Sequence, residues 1–168
     1  MRLTSITVEN YRSITKAHRV AISDKTILVG PNNEGKSNIL RALVTAMRVL
    51  SSMQFDDTGS AGGLVRDALE FRDSYDWSTD FPVHLQKTHT TGESVILLDF
   101  RPTDEEFEQF RSKTKSRLKD NLPLRLTLGR TQAAITVHKR GPGSAKLSKN
   151  SLDKIARFVA ARLEFEYI

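Results

Sequence analysis

Gly30, Gly35, Lys36 and Ser37 stand at the spacing G-x-x-x-x-G-K-[ST] inside ILVGPNNEGKSNILRAL, residues 27 to 43. Each of these residue types has a physical task there. Two glycines let a loop turn tightly and aim successive backbone N–H groups at one point, which the unpaired donors and positive dipole end of a following helix also face. Such a nest suits an anion. Lys36 adds a point charge matched to β- and γ-phosphates, and the Ser37 hydroxyl can complete the shell of a Mg²⁺ ion shared with them. The expected ligands are ATP and Mg²⁺, with Gly30, Pro31, Asn32, Asn33, Glu34, Gly35, Lys36 and Ser37 forming the cradle. The catalytic part of Lys36 would be to neutralise and position the transferred phosphoryl group, without activating water. Asn38 either supports the α-phosphate or is an ordinary exposed helix residue.

The neighbouring elements must place this cradle between a strand and a helix. Lys25 to Val29 contains the continuous apolar run Ile27, Leu28, Val29 expected of a central parallel strand covered on both faces. From Lys36, the residues Ile39, Leu40, Leu43, Val44, Met47 and Leu50 recur at helical spacing. Two antiparallel strands, 3 to 11 and 16 to 23, are predicted ahead of the loop as a hairpin. Residues 51 to 63 have no period and read as a loop or insertion, 64 to 71 as a short helix. RDSYDWSTDFP, 72 to 82, carries the sole tryptophan among charges, and Pro82 should end whatever precedes it. HLQK and ESVILLDF are predicted as strands around HTTGE. Thr103 and Glu106 have capping-box spacing ahead of a charged helix with Phe107, Phe110 and Leu118. LPLRLTLG and QAAITVHK form a second predicted hairpin. A basic loop, 138 to 150, then leads into the amphipathic SLDKIARFVAARL, with Leu152, Ile155, Ala156, Val159 and Leu163 on its apolar side.

At 168 residues the chain suits one domain, 1–168, with the loop or insertion at about 51–82. Its 38% hydrophobic and 27% charged content is that of a soluble globular protein. No apolar run reaches the roughly 18 residues of a membrane span, and the alternating start is not a secretion signal, so a cytoplasmic location is expected. Without cysteine there are no disulfides or thiolate-bound metals, and His18, His84, His89 and His138 lack metal-ligand spacing. The net charge of +6 leans toward a polyanionic partner such as DNA, though solubility is served equally well by such an excess. Arg111, Lys113, Lys115, Arg117 and Lys119, and then His138, Lys139, Arg140, Lys146 and Lys149, are candidate DNA-phosphate contacts. The first group reads equally as the polar face of a helix balanced by Asp104, Glu105, Glu106 and Glu108.

ITVENYRSI followed by GPNNEGKSNILRAL resembles the SMC/RecF branch of ABC ATPases, where an aromatic-basic-Ser turn precedes a G-x-N-x-x-G-K-S-N loop. YDWSTDFP, LPLRL, HKRGPGSAKLSK and ARFVAARLEFEYI more narrowly resemble the N-terminal ATPase portion of OLD (overcoming lysogenization defect) family ATP-dependent endonucleases. The resemblance implies an α/β P-loop NTPase fold: the first lobe of an ABC-type head, with a mainly parallel core joined to an antiparallel sheet. It also implies an ATPase whose site is completed when two heads dimerise around nucleotide, coupled to DNA repair, phage defence or a C-terminal Toprim nuclease. Arg12 lies where that family brings its first strand turn toward the nucleotide. It would touch a phosphate while Tyr11 packs near the base; the plainer alternative is a solvent arginine and a core tyrosine.

VILLDF, 95 to 100, puts four apolar residues before Asp99 like a Walker B strand, but Phe100 stands where the general base would follow, and an edge or antiparallel strand ending in a turn fits as well. No signature sequence, Walker B acid pair or Toprim cluster is evident. The chain is therefore expected to be an incomplete ATPase that binds nucleotide with little turnover. The alternative is a non-hydrolysing, nucleotide-gated dimerisation or DNA-binding module. A GTPase is disfavoured by the absence of N-K-x-D.

Overall fold

A computed structural model describes residues 1–16, 19–31, 35–52, 65–67, 73–114, 121–137 and 149–162. Its centre is an antiparallel sheet. β1 (Arg2–Tyr11) is flanked by β2 (Ile14–Lys16) and by the short β3 (Val20–Ala21) on one edge. Beyond its other edge the order runs through β5 (Ser94–Arg101), β6 (Leu122–Leu128) and β7 (Gln132–Val137) to β4 (Val65–Asp67). Leu122, Leu124, Leu126 and Leu128 alternate with less buried residues, so period-two patterning decides which face of β6 turns inward. Across the ladder Val8 lies opposite Ile96, Ile96 opposite Leu126 and Leu126 opposite Ile135, which makes one continuous apolar face.

Helices cover that face. α1 (Lys36–Ser52) packs on β1 and β5 and buries Ala42, Ala46, Val49 and Leu50. α5 (Lys149–Ala160) lies on β7 and α1, and α4 (Asp104–Thr114) meets α5 where Phe110 and Phe158 pack edge to face at 5.3 Å. Burial of each such leucine or phenylalanine contributes about 1.5–3 kcal/mol. The expected capping box closes α4: Thr103 Oγ1 accepts from Glu106 N at 3.3 Å, and Glu106 Oε2 accepts from Thr103 N at 2.8 Å. The Met1 ammonium joins it, 2.8 Å from the same carboxylate.

Several sequence expectations are overturned. The parallel core is absent among the described strands, every one of which pairs antiparallel. Lys25–Val29 forms no strand, and Ile27 and Val29 are 71% and 89% exposed. A strand exists only through a ladder partner. Here local bonds compete instead: Ser23 N donates to Thr26 Oγ1 at 3.0 Å and Ser23 Oγ to the Lys25 carbonyl at 2.9 Å. Of HLQK, the first three residues are helical within α3 (Val83–Gln86) and Lys87 is its C-cap, because Pro82 follows α2 (Trp77–Asp80) and opens the next turn by accepting from Leu85 N at 2.9 Å. Residues 65–67 are a strand where the sequence predicts a helix, since their partner Ala133–Ala134 edge supplies ladder bonds that propensity does not foresee. Leu118, Lys115, Arg117, Lys119, His18 and the loop 138–148 lie outside the described residues.

Candidate functional site

α1 starts at Lys36, and the residue before it, Gly35, sits at φ +87°. A side chain there would be strained, and a Cβ would also come within 3.2 Å of Ile14 Cγ1. The glycine thus lets the loop pass close under β2. Ile39 N donates to the Gly35 carbonyl at 2.9 Å, beginning the helical ladder and leaving earlier amides without intrahelical partners. No acid stands in the first turn of α1, so the positive end of the helix is not neutralised by its own side chains. The Lys36 ammonium curls back to the carbonyls of Gly30 and Pro31. Ser37 is exposed beside it. Asn38 Nδ2 donates to Ser13 Oγ at 2.8 Å and so ties the helix start to the β1–β2 turn.

Gly30, Pro31, Gly35, Lys36, Ser37 and Asn38 are therefore brought to one end of the sheet; Asn32, Asn33 and Glu34 lie outside the described residues. Their chemistry fits a magnesium-bound triphosphate. A lysine and unpaired amides would hold the phosphates, and the Ser37 hydroxyl would offer the metal an oxygen. Among the described residues no group of three or more His, Asp or Glu side chains could hold a metal ion.

Arg12 adjoins this end and is not a free surface side chain. Its φ is +52°, its N–H donates to the Asp80 carbonyl at 2.6 Å, and its Nε donates to Asp80 Oδ1 at 2.8 Å. Burial acts to lower the guanidinium pKa, but the charge of Asp80 and the hydrogen bonds to Tyr11 and Asp80 together outweigh it and raise the value, so Arg12 stays cationic. Tyr11, by contrast, is 2% exposed, and its hydroxyl meets Thr45 Oγ1 at 3.1 Å. Burial pushes its phenol above the ordinary range, and the ring belongs to the core rather than to a base-stacking surface. Asp99 lies away from this end, on an antiparallel strand. It accepts from Ser5 Oγ at 2.6 Å and pairs with Arg19 at 3.0 Å, about 20 Å along β1 from the turn at Arg12.

Sequence reasoning missed Asp80. It closes the block 75–82, in which Asp76 caps α2, Trp77 stacks on Phe81 at 5.1 Å and Trp77 Nε1 donates to the Gly92 carbonyl at 2.7 Å. Asp76 followed by Ser78 is a readable N-cap signal; the partner of Asp80 lies 68 residues away and leaves none. A cleft of about 470 Å³ runs between this block and α1, bounded by Arg12, Arg41, Thr45, Arg48, Tyr75 and Asp80.

Residues 1–151 match the AAA ATPase domain family. The chain belongs to that family. A 43-residue stretch is 51% identical to an uncharacterized protein of Methanocaldococcus jannaschii, covering 26% of this chain and only 13% of that protein. A solved chain described for ATP-driven dimerization and DNA-stimulated activation of SMC ATPases superposes with a TM-score of 0.49 at 15% identity, over 95% of this chain and 80% of that one. Within this AAA ATPase domain, the glycine-lysine-serine loop is the part whose chemistry is most specific. Among its described residues no helix is long and apolar enough to cross a membrane.

Proposed function

We propose that this AAA ATPase domain binds ATP with Mg²⁺ through the loop from Gly30 to Asn38. The observation that carries the reading is the juxtaposition at Gly35: a positive-φ glycine precedes α1 at Lys36, and that lysine reaches back to the carbonyls of Gly30 and Pro31. Arg12, fixed at the adjoining β1–β2 turn, would add a second cation to the phosphates. Lys36 and Arg12 would neutralise charge in the transferred group; neither can orient water as a base.

The chain would be one lobe of a DNA-processing ATPase of SMC/RecF-like type that works as a homodimer of heads, with an OLD-family endonuclease as the specific resemblance. The exposed Ile27 and Val29 support the view that the fold is finished by strands from another segment or subunit, since a two-sided apolar run suits a covered strand. The test is binding and turnover measured together. The purified chain should retain Mg-ATP in equilibrium dialysis, in preference to GTP, while releasing phosphate far more slowly than an ordinary ATPase. Turnover at an ordinary rate without a partner would overturn the one-lobe reading; equal retention of every nucleotide, or none, would overturn the ATP reading.

A further inference from the structure

Arg12 and Asp80 are joined twice, once through the backbone and once through the side chains. The Arg12 amide donates to the Asp80 carbonyl at 2.6 Å, and Nε and Nη2 of Arg12 both reach Asp80 Oδ1, at 2.8 and 2.7 Å. The other carboxylate oxygen is held from behind, by the Asp76 amide at 3.0 Å. Asp80 is therefore fully engaged and nearly inaccessible, with 8% of its side chain exposed, whereas 33% of the Arg12 side chain faces solvent. An arginine has five N–H donors, and only two are spent on Asp80. Its backbone occupies the left-handed region, which non-glycine residues enter at a cost and hold only when their surroundings impose it. Here the imposing group is Asp80.

The next residue carries the effect forward. Ser13 Oγ accepts from Asn38, the second residue after Lys36, and Ile14 lies against Gly35. One continuous set of contacts thus runs from the 75–82 block through the β1–β2 turn to the helix end of the loop, at Gly35 and Asn38. We infer that Asp80 is a positioning residue for nucleotide binding: it fixes the Arg12 guanidinium at the rim of the loop, with its remaining donors aimed at a phosphate oxygen. This inference rests on the ATP reading above. It gives the WSTD turn a role in the site, beyond packing.

The experiment is a mutant cycle on the affinity of the full chain for a fluorescent Mg-ATP analogue, at a temperature where each variant is shown to be folded by circular dichroism. Asp80→Asn should weaken binding about tenfold, Arg12→Gln by a similar factor, and the double variant by no more than Arg12→Gln alone. Asp80→Glu, which keeps the charge, should recover part of the loss. An Asp80→Asn variant that melts earlier yet binds as tightly as the wild type overturns the inference, as does a loss of affinity that persists undiminished in the Arg12→Gln background. Should Asp80→Asn not fold, the ¹⁵N-labelled wild type decides: the Arg12 Nε–H resonance should be protected from exchange and move on addition of Mg-ATP, and a resonance that does not move overturns the inference. Wild-type chain that binds no ATP, or binds it independently of Lys36, overturns the ATP reading and this inference together. Binding that needs Lys36 but ignores Asp80 overturns the inference alone.

Discussion

Asn38 donates to Ser13 across 2.8 Å, so the first turn of α1 and the β1–β2 turn are bonded by side chains 25 positions apart. The start of α1, next to Gly35 and Lys36, is consequently braced from outside itself, by a turn that also carries Arg12.

The brace leaves no room at Gly35. With φ at +87° and Ile14 Cγ1 only 3.2 Å from where a methyl group would sit, Gly35→Ala should destabilise the chain by about 1–3 kcal/mol and weaken Mg-ATP binding. Urea unfolding and a nucleotide titration on the same preparation check both.

Tyr11→Phe should separate core from site. It removes the 3.1 Å contact with Thr45 and should cost about 1 kcal/mol of stability, while nucleotide affinity stays unchanged because the ring is buried. A variant that binds ATP more weakly at full stability would show instead that the Tyr11 hydroxyl serves the site.

Gly92→Ala should disturb the block that holds Asp80. An added Cβ would meet Phe81 Cζ at 2.3 Å, beneath the ring on which Trp77 stacks. Since Trp77 is the sole tryptophan, its fluorescence maximum should shift to the red and the melting temperature should fall.

Glu106 gives the fold a pH dependence. Burial tends to raise its pKa, but bonds from the Met1 ammonium and Thr103 prevail and lower it, and Arg162 lies 3.8 Å from the same carboxylate. A carboxylate depressed in the folded state contributes stability above its unfolded pKa, about 4.3, and loses that contribution as pH falls through the folded value. The stability difference between wild type and Glu106→Gln should therefore be full at about pH 6 and shrink steadily toward about pH 3. A difference independent of pH across that range would show the pair to be inert.

Ile27→Ser and Val29→Ser should change the stability of the isolated chain by no more than about 0.5 kcal/mol, because both side chains already face solvent. Chemical denaturation checks this; a loss of about 2 kcal/mol would mean that the segment is packed in solution.

Those two residues also show where sequence reading stopped. Local signals were sufficient for α1, whose apolar spacing begins at the P-loop, for the Thr103–Glu106 box, and for the β6–β7 hairpin, whose leucines alternate cleanly. Ile27 to Val29 reads like a central strand because an apolar run specifies burial without saying whether a neighbour is present to provide it. HLQK alternates like a strand, yet Pro82 and the Gln86 side chain, which donates to the Ser78 carbonyl at 2.9 Å, hold it as a helical turn. Within the site, the loop was legible as a spacing of residue types, and Asp80 was not, since ion pairing between distant positions leaves no periodic trace.

The most direct measurement is isothermal titration calorimetry of the 168-residue chain with ATP and magnesium, beside Lys36→Ala. A saturable heat that weakens at least about tenfold on loss of the ammonium is the expected result. No heat from the wild type, or the same isotherm from both proteins, would contradict a phosphate-gripping role for the loop.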